Sequence, residues 1–384
     1  MSACSASSWR NSGRRLAGTA LAAGACVAIV TAILCAWPTA HAVSAAQAEK
    51  SAPVTCGTCH AGVVNSYAHA PMRHAMEPST ADPVLLANPD LKIQQNGYAY
   101  SVQTKDGRST YTVTDATGTL TLPIHWVMGQ HSQTFVLEKD GKLYESLVSY
   151  FPREHGLATT PGDQDLKPKT LTEAMGRELP QWESLTCFNC HATNAVSGAR
   201  LTLDKLTPGL ECERCHAGAQ QHMADAANDN FKTLPKSLKR MSAGDISNFC
   251  GQCHRSWETA VRAHFKGPAY VRFQPYRLQN SKCFAFNDPR ISCLACHDPH
   301  QQVNHDQAFY DKKCLACHGE THAAATSVSA AALPIAARPM AKSCPVAKAN
   351  CASCHMPKVE LPGGHAQFTD HDIRVVHPGD PYPN

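Results

Sequence analysis

Aromatic residues are scarce, 7% of 384 positions. A chain of this length ordinarily buries one or two large cores, and so few rings leave much of that interior to be filled by something other than side chains. Strong charge of one sign is also missing. Thirty-five Lys and Arg against 31 Asp and Glu give a formal +4, which offers no support for a nucleic-acid partner. No tetratricopeptide period repeats along the chain, and no signalling domain is appended to it.

What the chain has is cysteine. Fourteen of its 19 cysteines fall in seven copies of Cys-x-x-Cys-His. In order these are Cys56, Cys59 and His60; Cys187, Cys190 and His191; Cys212, Cys215 and His216; and Cys250, Cys253 and His254. Cys293, Cys296 and His297, then Cys314, Cys317 and His318, then Cys351, Cys354 and His355 complete the set. The pattern is the attachment site of c-type haem. Two thiols add to the porphyrin vinyl groups and the adjacent imidazole reaches the iron, so all three must meet one macrocycle. Seven covalently bound haems c are therefore expected. Structural zinc is the competing reading, because 17 residues separate Cys296 from Cys314, a four-cysteine spacing. Zinc does not require a His after every second Cys. Seven such placements by chance have odds of about one in a billion at this His content.

The first 42 residues contain no acidic residue. They carry Arg10, Arg14 and Arg15, an apolar run from Leu16 to Trp37, and Ala40-His41-Ala42. That is the layout of a cleavable export signal, with an uncleaved membrane anchor as the alternative; Cys4, Cys26 and Cys35 lie within it without an assigned role. The globular part is expected to be exported, to the periplasm. Removing the three signal arginines leaves +1, and seven ferric haems at about −1 each bring the oxidised protein to about −6. The basic sets Lys232, Lys236, Lys239, Arg240 and Arg262, Lys266, Arg272, Arg277 read as propionate partners or solvated faces.

Residues 43–96 hold the first motif alone. From about 97 to 151, alternating Tyr, Val, Thr and Leu separated by Lys105-Asp106-Gly107, Asp115-Ala116-Thr117-Gly118 and Lys139-Asp140-Gly141 predict antiparallel hairpins. Residues 153–260 carry motifs two to four and 261–384 motifs five to seven, with an Ala- and Pro-rich linker from Ala323 to Ala341. The expected fold is mainly α and irregular, built round the haems, with a small antiparallel β insert over 97–152. Without haem such short segments cannot offset their conformational entropy. Cys283 and Cys344, left over in an oxidising compartment, are expected to form a disulfide.

Thirteen histidines beyond the motifs and the signal are available for at most seven distal positions. His131 follows a Gly-Gln turn, His222 follows the third motif, and His300 closes Cys-His-Asp-Pro-His. His222 and His300 sit too close to their own motifs to reach back, so each is offered to a neighbouring haem. His365 and His371 flank Phe368-Thr369-Asp370, with Asp370 available to orient a ring. His69 and His74 accompany Met72 and Met76 after the first motif, the methionines reading as core filling.

Five passages carry a resemblance: CGTCHAGVVNSYAHAPMRHAM, VMGQHSQTF, CERCHAGAQQHM, VRFQPYRLQNSKCFAFNDPRISCLACHDPH, and CASCHMPK running on to HAQFTDHDI. Together they resemble the multihaem cytochromes of the cytochrome c-554 type, a family related by haem packing to hydroxylamine oxidoreductase and pentahaem nitrite reductase. The resemblance implies an exported electron-transfer protein with packed, mostly bis-His haems. By position it implies His131, His222, His300 and His371 as distal ligands. The N-terminal stretch departs from it and leaves the first haem's partner open between His69 and His74.

The leading expectation is a relay passing electrons between redox partner proteins or a quinol-linked membrane complex, rather than an enzyme. The alternative is a multihaem oxidoreductase acting on a small nitrogen or sulfur compound at one five-coordinate haem. All seven motifs are plain, with no Lys in the His position and no Tyr singled out as catalytic.

Overall fold

The computed structural model describes residues 54–264, 267–319 and 344–383. The N-terminal stretch read as an export signal, Lys266 and the expected linker from Ala323 to Ala341 lie outside them. No helix among the described residues is long and apolar enough to cross a membrane.

An eight-stranded antiparallel sheet is the largest regular element. Its strands are β1 (Met76–Pro78), β2 (Asp90–Gln95), β3 (Tyr98–Lys105), β4 (Arg108–Asp115), β5 (Gly118–Met128), β6 (Thr134–Lys139) and β7 (Lys142–Ser146). A hairpin of β8 (Val148–Phe151) and β9 (Gly156–Thr159) forms a separate two-stranded sheet, bridged to the first by paired backbone hydrogen bonds between Gln133 and Tyr150, and β10 (Gly176–Glu178) returns to the large sheet. The order is β10-β7-β6-β5-β4-β3-β2, with β1 also paired to β5. Asn96-Gly97, Asp106-Gly107 and Asp140-Gly141 all have positive φ at both residues, the two-residue hairpin geometry that suits strand twist. At Asp115, Oδ1 instead accepts from the amides of Thr117 (2.7 Å) and Gly118 (3.1 Å). Alternation then buries Tyr100, Val102, Tyr111, Val113, Phe135 and Leu137 in one cluster.

The sheet is wider than the expected hairpins. It begins at β2 and recruits β1 and β10 from outside, so the mainly α weighting is not confirmed. The long β5 makes this possible. Its first half pairs with β4 and its second with β6 and β1, with a register shift between Ile124 and Trp126.

The helices are short and carry the motifs. Gln181–His191, Ala243–His254 and Gln307–His318 each end on a motif His, while Cys212–Cys215, Cys293–Cys296 and Cys351–His355 begin on a motif Cys. Ser242 and Asp306 cap two of the former by accepting from Asp245 N (3.1 Å) and Ala308 N (2.9 Å). Asp311 is buried and joins two motifs, accepting from Asn350 N (2.7 Å) and Cys351 N (2.8 Å).

The expected Cys283–Cys344 disulfide is absent: no disulfide forms among the described residues. Cys283 lies beside Cys314. Cys344 is exposed, its sulfur turned to the amides of Val346 and Ala347. Each thiol thus has its own surroundings.

Candidate functional site

Two cysteines three positions apart on one helical turn share a face, and the His that follows lies beside them. Every motif therefore offers two sulfurs and one imidazole nitrogen on one side of a turn, the donor set that a covalently attached haem requires. Among the described residues no three His, Cys, Asp or Glu converge as for a metal ion alone. The four-cysteine zinc arrangement is not built.

The motifs touch one another. Cys56 Sγ lies 3.5 Å from Met223 Sδ and interacts with Cys212. Cys215 is within electrostatic reach of Cys250 and Cys253. Cys253 also meets Cys190, and Cys250 meets Cys293. Cys296 neighbours Cys314, which neighbours Cys351. In space the motifs run first, third, fourth, fifth, sixth, seventh, with the second docked on the fourth. The second and third are also joined directly, Arg214 Nη2 donating to Asn189 O at 3.2 Å.

The histidines show how an axial ligand is prepared. A ring whose Nδ1–H is bonded to an acceptor presents a lone pair at Nε2. Among motif residues, His191 is held this way by Ala75 O (2.8 Å), His216 by Lys236 O (3.1 Å) and His355 by Arg374 O (2.9 Å). Three candidate distal ligands share the arrangement: His222 on Thr233 O (2.7 Å), His371 on Thr369 O (2.9 Å) and His300 on Asp298 Oδ1 (3.0 Å). Burial, then the His297 charge, lowers the pKa of His371 to about 4. Its ring is thereby neutral, as a ligand must be.

Two of these rings face motif rings. The centroids of His216 and His300 are 6.0 Å apart with planes at 9°, and those of His297 and His371 are 6.1 Å apart at 39°. Two imidazoles bound to one metal at about 2.0 Å, each Nε2 lying about 1.1 Å from its ring centre, would have centroids about 6.2 Å apart. The spacing fits two rings sharing one iron. Tyr67 supports His300 edge-on (6.2 Å) while its hydroxyl donates to Leu210 O at 2.8 Å, a contact without any local sequence signal.

His131 and His365 pack edge-on against Phe368 (5.1 Å) and Phe151 (4.7 Å). Near the first motif His69 is exposed, whereas both ring nitrogens of His74 are engaged, Nδ1 with Glu77 (2.5 Å) and Nε2 with Ala68 O (2.7 Å). Met76 is fully buried in a hydrophobic cluster, as core filling requires.

Two expectations need correction. The Asp370 carboxylate accepts from no imidazole: it is taken by Arg277 and Arg374. Arg277 is neither solvated nor free for a propionate, because Asp370 and Asp372 hold it at 1% exposure. The acid lies far from the arginine in sequence, so neighbouring histidines were the only partners in view.

A family model for cytochrome c3 matches residues 285–362. A model for cytochrome c554 and c-prime matches 154–217. No curated protein matches the chain. Among solved structures, an undecaheme cytochrome from the S-layer of Carboxydothermus ferrireducens is similar at 18% identity and a TM-score of 0.41, over 85% of this chain and 53% of that one. The chain thus spans about half the length of that protein.

Proposed function

We propose, from the premise that this chain is a multihaem cytochrome c, that it carries seven haems, one on each motif, and relays electrons along them outside the cytoplasm. The observation that carries the proposal is the unbroken run of neighbouring motifs from Cys56 to Cys351. Each haem supplies a one-electron couple whose potential is set by its axial ligands and burial. The chain's part is to hold neighbouring sites together and to fill the axial positions. In this reading His216 and His300 hold one iron, and His297 and His371 another. His131, His222, His365 and His69 are the remaining candidates. A six-coordinate iron has no place for substrate, which favours electron transfer over catalysis. The first 42 residues support export, and redox proteins or a quinol-linked membrane complex are the partners this role requires.

Intact mass and spin state test the proposal. The expected mature protein exceeds its cleaved chain by seven haem masses, keeps haem through denaturing electrophoresis and is low-spin throughout when oxidised. Five haems or fewer in a fully matured preparation would overturn the count. A high-spin signal worth one haem in seven would turn the assignment to the oxidoreductase acting on a small nitrogen or sulfur compound.

A further inference from the structure

We propose that Arg277 is a positioning residue that aims His371. The proposal rests on reading His371 as second ligand of the iron carried by His297. Arg277 lies in the helix Gln274–Asn280 and is 1% exposed. Its Nε and Nη2 fork onto the two oxygens of Asp370 at 2.8 and 2.9 Å, and Nη2 also reaches Asp372 Oδ2 at 3.1 Å. Those two acids flank His371. Arg374 completes the cluster, donating from Nη1 to Asp370 Oδ2 (2.6 Å) and to Asp372 O (2.9 Å). Two cations and two anions balance.

The backbone between the acids is gripped from the end of the same helix. Ser281 Oγ donates to His371 O (3.1 Å) and accepts from Ile373 N (2.7 Å). With Nδ1 bonded to Thr369 O, little freedom remains to the ring. The grip is anchored elsewhere too. Arg277 Nη1 donates to Pro383 O (3.1 Å), its guanidinium lies 4.7 Å from the Tyr382 ring centre, and Gln279 Nε2 donates to Ser247 Oγ (2.8 Å) in the helix that ends on the fourth motif. A planar fork fixes direction as well as charge, whereas lysine supplies charge alone.

The test compares three variants of the haem-loaded protein by mass, low-spin resonance signals and potentiometric titration. His371→Ala identifies the signal in question by converting it to high spin with all haems attached. Arg277→Lys is expected to keep every haem and to alter that same signal and its midpoint potential, leaving the others in place. If Arg277→Lys does not accumulate, Asp372→Asn is expected to shift the same signal by less. An unchanged signal and potential in the variant that folds, even with a lower melting temperature, would reduce Arg277 to a stabilising role and overturn the proposal. An unchanged spectrum in His371→Ala would remove the ligand assignment itself, and the proposal with it.

Discussion

Asp163 shows how one side chain outside the haem motifs can tie stability to pH. Its Oδ2 is buried without a hydrogen-bond partner and its Oδ1 is 4.0 Å from Arg177 Nε. Burial raises its pKa to about 6; Glu145 adds to this, Arg177 opposes it and Glu183 adds again. A folded pKa above the unfolded value of about 4 favours folding while the acid is protonated, and that advantage is lost as pH rises through 6. Asp163→Asn is therefore expected to be more stable than the native protein at pH 8, by on the order of 2 kcal/mol, and to melt correspondingly higher, with the difference vanishing near pH 4. Equal melting temperatures at both pH values would refute the assignment. At this scale the sequence was legible where chemistry is local. Each motif places two cysteines and a histidine within five residues, so the donor set that a covalent haem would need is visible in the sequence itself. The facing of His216 by His300, and of His297 by His371, could not, because such pairs meet only after folding.

Among the elements, hairpins were legible and their partners were not. Asp-Gly turns and alternation marked β3 to β7, but β1 and β10 are three residues each and join by register alone. The packing of the segment before the third motif was likewise invisible. There Gly209, at φ +73°, passes so close to Arg73 that an added Cβ would lie 1.8 Å from its carbonyl oxygen. Around it Leu210 N donates to Met72 O (3.1 Å) and Arg73 Nη1 to Pro208 O (3.2 Å). Gly209→Ala is expected to destabilise the protein by about 3 kcal/mol or more. Gly107→Ala, at φ +71° with nothing within 4 Å of the new Cβ, should cost only about 1 kcal/mol. Denaturant titration of the two variants checks the ordering.

At the scale of the whole molecule, the sheet buries its own cluster round Tyr100, Tyr111 and Phe135, while the motif-bearing segments are held next to one another. The fourth motif meets the second, third and fifth, whereas contacts of the seventh centre on the sixth. Replacing Cys250 and Cys253 by Ser is therefore expected to lower the melting temperature more than replacing Cys351 and Cys354. It should also make reduction of the remaining haems biphasic in rapid mixing. Single-phase reduction in the Cys250/Cys253 variant would argue against a continuous relay. The order of contacts differs from the order in sequence, which is why spacing along the chain did not disclose it.

The sheet contains none of the motif cysteines, yet it works as a caliper between two of the motifs. β1 follows the first motif's segment, β10 leads into the helix of the second, and the ladder from Met76 through Met128, Thr134 and onward to β7 and Arg177 measures the gap. Ala75, at one jaw, accepts the hydrogen bond from His191 at the other. Strand registers change only in whole residues, and a slip that keeps the same faces inward moves a jaw by two, about 7 Å. The distance between these sites is thus set in discrete steps: residues added to the loop between β5 and β6 leave it unchanged, while a two-residue slip within β6 resets it.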